Sequence, residues 1–177
     1  MRFDLRARPS AKRKTYVDHI HALIDASAIL GVNMVTTFLG RDPKKTVEEN
    51  LEIAKEVWPP ILGINYDPSH FVWQQIDYIK PIYEFKDRIF HVHYKDIKIY
   101  QDKLADVGVM ACPLEYMTPK LPGLGDVDWG KYVSALTDIR YKGNSVIEVE
   151  DKACEGSLDD AKKAVIQSAR YLRNFVI

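Results

Sequence analysis

Ile61-Leu62-Gly63-Ile64-Asn65-Tyr66-Asp67 is an apolar run closed by a carboxylate, and Arg88-Ile89-Phe90-His91-Val92-His93 is a second one closed by an imidazole. Both have the length and residue types of buried strands. Between them, Phe71 to Phe85 reads as a mostly apolar helix interrupted by Pro81. Strand, helix and strand in that order, with strands apolar on both faces, make the repeating unit of a parallel sheet covered by helices.

The alternation continues in both directions. Toward the N-terminus, Val17, Ile20, Ile24 and Ala28 form a helical stripe that stops at Gly31, and Val32 to Phe38 reads as a strand. Thr46 and Glu49 form a capping box for a helix with Val47, Leu51, Ala54 and Trp58 on one face, ended by Pro59 and Pro60. Toward the C-terminus, Tyr94 to Val127 reads as irregular, far longer than the usual connection of about 4–6 residues, which marks a lid or a flexible segment. Asp128 then caps a helix carrying Trp129, Tyr132, Val133 and Leu136, and Asn144 to Val149 is a strand. Ser157 with Asp160 caps a last helix whose inner face is Ala161, Ala164, Val165 and Leu172. The expected strands therefore begin near Val32, Ile61, Arg88 and Asn144.

Composition narrows the function classes. The 177 residues are 46% hydrophobic and 11% aromatic, enough for one folded domain with a core, and we expect residues 1–177 to form a single domain. Twenty-five basic and 25 acidic residues cancel without long runs of one sign, which argues against a nucleic-acid partner. No stretch is apolar for about 18 residues and Met1 to Lys14 has no apolar core, so neither a membrane span nor a signal peptide is expected. Cys112 and Cys154 show no metal-ribbon or redox spacing, as expected of free thiols in the cytoplasm.

Chemistry in a parallel barrel collects at the C-terminal strand ends, and three of them carry metal-ligand residue types: Asp67, His93 and Glu148. Oxygen and nitrogen donors without thiolate suit magnesium, manganese, cobalt or zinc. A lone Asp or His at a strand end is most often a satisfied turn residue, but three at successive ends shift the balance toward a site. His91 shares a face with His93 and lies one pleat deeper, where we expect a core hydrogen bond rather than a ligand. His19 and His21, two apart on a helix, point apart and cannot chelate one ion.

Four segments together, Gly63-Ile64-Asn65-Tyr66-Asp67-Pro68-Ser69-His70, Phe90-His91-Val92-His93-Tyr94-Lys95-Asp96, Pro122-Gly123-Leu124-Gly125-Asp126-Val127-Asp128-Trp129 and Ile147-Glu148-Val149-Glu150, resemble in order and spacing the sugar phosphate isomerase/epimerase family. That family is similar to inosose dehydratases, ketose 3-epimerases and xylose isomerase. The resemblance implies an α/β fold of parallel TIM-barrel type and one divalent ion held by Glu, Asp, His and Glu. It places Asp67, His93 and Glu148 at three ligand positions, with Glu148 also as the proton-transferring base. His70 falls at a substrate-hydroxyl contact and Lys95 at a substrate oxygen. The family's Glu-Asn strand end, source of the first metal Glu, has no counterpart here, because Trp58-Pro59-Pro60 runs directly into Ile61 and Glu49-Asn50 lies in a capped helix. About half of the eight βα units are legible, so an incomplete barrel, internally deleted or lacking segments, is expected.

The expected function is thus divalent-metal-dependent isomerisation or epimerisation of a sugar or sugar phosphate through an enediolate, with inversion impaired by the missing Glu. Two other readings compete. One is an inosose dehydratase-like lyase, and the other a non-catalytic barrel remnant whose open strand edges pair with another copy as a homo-oligomer. A nuclease on the same barrel would need more ligands and a basic groove, which this neutral chain lacks.

Overall fold

A computed structural model describes residues 11–36, 42, 44–46, 48–50, 52 and 63–175. The chain divides into two compact units, residues 1–62 and 63–177.

In the first unit, α1 (Ala11–Ile29) covers the expected helix and ends where glycine allows it to end. Gly31 takes φ +69°, and the amides of Gly31 and Val32 turn back to the carbonyls of Ala28 and Ser27. This closes the helix with a left-handed residue, a conformation that costs glycine nothing. The strand expected from Val32 is not formed over residues 32–36. Val32 spends its amide on the helix end instead of a ladder, and residues 37–40 lie outside the described set. The capping box is present: Thr46 N donates to Glu49 Oε2 at 2.8 Å and Glu49 N to Thr46 Oγ1 at 3.1 Å, at the start of helical residues 48–50. The apolar face expected from Val47 to Trp58 lies largely outside the described residues.

The second unit is built on a parallel three-stranded sheet. Its strands are β1 (Ile64–Tyr66), β2 (Ile89–Tyr94) and β5 (Asn144–Ile147), with β2 in the centre. Three of the four expected strands are therefore present and parallel. Register fixes what each face does: Asn65 pairs with His91, and His93 pairs with Val146, so these residues share one face. Tyr66, Val92 and Tyr94 point to the other face, into a core with Ile82, Trp129, Tyr132, Leu136 and Leu172. Tyr66 stacks on Phe71 at 5.0 Å between centroids, and Tyr94 meets Trp129 edge-on at 5.8 Å.

The expected helix from Phe71 to Phe85 is two short helices, α2 (Ser69–Val72) and α3 (Lys80–Glu84). Pro81 begins the second helix rather than interrupting a long one, because its missing N–H falls among the first-turn donors that have no helical partner anyway. Asp77 Oδ1 accepts the amide of Ile79 at 2.7 Å and fixes the turn between them.

The segment from Tyr94 to Val127 is ordered rather than irregular. Strands β3 (Asp96–Ile99) and β4 (Met117–Lys120) pair antiparallel, with α4 (Gln101–Val107) and a 3-10 turn at Pro113–Glu115 between them. Helix α5 (Trp129–Asp138) is capped by Asp128, which accepts the amide of Lys131 at 3.0 Å. Helix α6 (Leu158–Leu172) is capped by Ser157 as expected, but it buries Ala164, Ser168 and Leu172 while Val165 stays exposed. Ser168 is hidden from an apolar-pattern reading because its hydroxyl donates to the Ala164 carbonyl at 2.8 Å. Among the described residues no helix is long and apolar enough to cross a membrane.

Burial raises the phenols of Tyr132 in the core, well above the ordinary tyrosine value, and of the partly buried Tyr141 packed against it, to about 12, Tyr94 adding to each effect. A raised folded-state pKa means the unfolded chain loses its proton first, so stability falls as pH climbs above the ordinary value near 10. Urea midpoints should therefore drop steadily above pH 10. Ultraviolet titration should show at least two phenols ionising late or together with unfolding.

Candidate metal centre

Asp67 follows directly on β1, His93 lies near the end of β2, and Glu148 follows β5, so parallel pairing alone brings the three to one end of the sheet. One ligand atom from each lies within 4.8 Å of the others. The structure brings together the three residues that the sequence singled out as ligands.

Local hydrogen bonds orient each group. Asp67 is buried, and its Oδ1 accepts the Ser69 amide at 2.9 Å as the chain turns through Pro68 into α2. Its Oδ2 faces the cluster, buried and without a hydrogen-bond partner among the described residues. His93 Nδ1 lies 2.8 Å from Glu148 Oε2 and 3.9 Å from Asp67 Oδ2. On the far side of the ring, the Asn65 amide lies 3.2 Å from His93 Nε2. The Asn65 Nδ2 faces Nε2 and donates to it, so the ring proton lies on Nδ1 with Glu148 Oε2 as its acceptor, and a cation held there would take that proton's place.

A buried carboxylate oxygen without a hydrogen bond is costly unless a cation lies beside it; the Lys95 ammonium, 3.3 Å from Oδ2, is the cation there now, and a divalent ion would serve the same end. Two carboxylates and one imidazole nitrogen, with no thiolate, match the donor preferences of magnesium, manganese, cobalt and zinc. The residues present fit a divalent ion.

His70, on α2, places Nε2 3.6 Å from Asp67 Oδ2 with its ring largely exposed, at the rim of the cluster. Lys95 is not a solvated lysine, since its side chain is only 8% exposed. Burial opposes its ammonium, but Asp67, Glu150 and Glu148 outweigh burial and hold it above the ordinary lysine value. His91 lies deeper on β2, edge-on to His93 at 5.4 Å. The core hydrogen bond expected of it is not seen at Nδ1, which is buried without a partner among the described residues. Burial first, and His93 second, push its imidazole below the ordinary value.

Two neighbours were absent from the sequence reading. Asn65 precedes Asp67 by two and so shares its face, while Glu150 bonds Lys95 through Oε2 at 3.0 Å. The signal for Asn65 was the strand alternation already used for His91 and His93.

Residues 2–175 match the family described as xylose isomerase-like TIM barrel. An inosose dehydratase of Geobacillus thermodenitrificans is 27% identical over 155 residues, covering 84% of this chain and 51% of that protein. The chain thus spans about half the length of this curated relative. Among solved structures, a xylose isomerase domain protein from Planctomyces limnophilus superposes with a TM-score of 0.61 at 21% identity, covering 96% of this chain and 55% of that one. A D-allulose 3-epimerase from Methylomonas sp. superposes with a TM-score of 0.53 at 19% identity, covering 96% and 58%. These two likenesses support the barrel-type fold.

Proposed function

We propose that this chain, which belongs to the xylose isomerase-like TIM barrel family, holds one divalent ion on Asp67, His93 and Glu148 and moves a proton beside the carbonyl of a sugar, sugar phosphate or inosose. The supporting observation is the convergence of three donors from three strand ends around a buried Asp67 oxygen that has no hydrogen-bond partner among the described residues. Bound there, manganese, magnesium, cobalt or zinc supplies Lewis-acid stabilisation of the negative charge that develops when the C–H bond breaks.

The chain's own residues do the rest. Ser69 N holds one oxygen of Asp67, leaving the other for the ion. Asn65 keeps the His93 ring in place. Glu148 has one oxygen on His93 and a partly exposed side chain, so its second oxygen can take the substrate proton as general base. His70 at the rim and Lys95 beneath it face substrate oxygens.

One base can return the proton to the neighbouring carbon, as in isomerisation, or let a β-hydroxyl leave, as in dehydration. Inversion at one carbon needs a second acid on the opposite face. Among the described residues, Glu49 and Asn50, the Glu-Asn pair of the sequence, are engaged in the capping box and its loop. Isomerisation without epimerisation is therefore the main reading, and a lyase resembling inosose dehydratase is the second, favoured by the relative of that name. Two free cysteines are consistent with the cytoplasm.

The test is deuterium uptake from heavy water into ketoses and inososes at saturating manganese, with product stereochemistry. The wild type should exchange without forming a 3-epimer, and Glu148→Gln should exchange about 100-fold more slowly or less. No exchange with any sugar would overturn the enzyme reading in favour of a non-catalytic barrel segment.

A further inference from the structure

Lys95 stands in the path of any ion. It follows immediately on the central strand β2, and its Nζ lies 3.3 Å from Asp67 Oδ2, 3.5 Å from Glu148 Oε2 and 3.0 Å from Glu150 Oε2. The Glu150 contact is a hydrogen bond. The other two are charge contacts with carboxylates that face His93, and Asp67 Oδ2 gains no hydrogen bond from the ammonium. Three carboxylates gathered around one buried side chain would repel one another without a cation among them.

We infer that Lys95 is the site's resident counter-ion, neutralising Asp67 and Glu148 while no metal is bound, and that a divalent ion enters by displacing the ammonium toward Glu150. The inference rests on the reading of Asp67, His93 and Glu148 as ion ligands. Two opposite consequences follow from the geometry. Lys95 weakens ion binding, because it occupies the same two carboxylates and repels a second positive charge. Glu150 strengthens it, because it gives the displaced ammonium a partner outside the ligand set.

The experiment is manganese binding to the full chain, read as free Mn²⁺ by electron paramagnetic resonance, with thermal melts of ion-free and manganese-loaded protein alongside. Lys95→Gln, similar in length but neutral, should bind manganese about tenfold tighter or more. Its ion-free melting temperature should fall, and manganese should restore it. Lys95→Arg keeps the charge and should stay near wild type. Glu150→Gln alters a half-exposed side chain, leaves the fold intact and should bind several-fold more weakly. Unchanged or weaker binding by Lys95→Gln, or unchanged or tighter binding by Glu150→Gln, would overturn the counter-ion role. If those results appear while Asp67→Asn still loses the ion, only this inference falls. If wild type and Lys95→Gln both fail to bind at millimolar manganese, the ligand assignment falls with it.

Discussion

Alanine in place of Asp96 is expected to unfold most of the second unit, the largest stability effect of any single change here. Asp96 is fully buried, and its two oxygens accept four donors: the amides of Ile97 at 2.8 Å, Val127 at 3.0 Å and Gly123 at 2.9 Å, and the Trp129 indole at 2.9 Å. Bonds to a carboxylate are the stronger kind, and each buried donor left without an acceptor costs about 1–3 kcal/mol. The sum reaches about 4 kcal/mol or more, comparable with the whole stability of a typical domain, about 5–15 kcal/mol. Asparagine is nearly as damaging, because its amide sets two donors against two of the four. Gly125 packs so close that a Cβ there would overlap Asp96 Oδ1 and the Ile97 carbonyl, so Gly125→Ala should reproduce the defect in milder form. Urea denaturation followed by tryptophan fluorescence measures all three. An Asp96→Ala protein with a near-native midpoint would show that the clamp carries no stability.

Asparagine in place of Asp67 should have the largest functional effect. Its carbonyl oxygen can still accept the Ser69 amide, so the turn into α2 survives. The oxygen that faces His93 becomes an NH₂ group, which repels a cation instead of binding one. Loss of an outer partner alone costs about 10- to 100-fold in metal affinity, so loss of a direct anionic ligand should exceed about 100-fold. Sugar-dependent deuterium uptake should vanish with it. In the absence of metal the variant should melt below the wild-type temperature, because the buried Lys95 ammonium loses one of the carboxylates that compensate it and meets an NH₂ group instead. Manganese should raise the melting temperature of the wild type but not of Asp67→Asn. Undiminished binding in the variant would remove Asp67 from the ligand set.

What the sequence made legible was local or periodic. The capping residues Thr46, Asp128 and Ser157 announce themselves within three residues. The convergence of Asp67, His93 and Glu148 was legible because parallel strands place their ends together whatever lies between, so three strand-end residues meet at one place. The errors share a different cause. Strand β3 pairs with β4 across some twenty residues, and Pro119 within β4 argues against a strand unless it lies in an edge ribbon, as it does here. The break between α2 and α3 depends on Asp77 accepting amides, and Val32 depends on a helix end claiming its N–H. In each case the deciding hydrogen bond is made by a group whose partner composition alone does not reveal.

The clamp at Asp96 also divides labour along the chain. At the base of the β3–β4 stem, Asp96 holds one side, while Asp126 accepts the Ile99 amide at 2.7 Å and donates its own amide to the Ile97 carbonyl at 2.8 Å. Residues 101–115 hang beyond those fixed points, carrying exposed Val107, Met110 and Leu114. Insertions, deletions or whole replacements there would leave the strand ends, with Asp67, His93 and Glu148, where they are. The stem is in effect a socket, and heredity can trade what is plugged into it without disturbing the strands on which it is mounted.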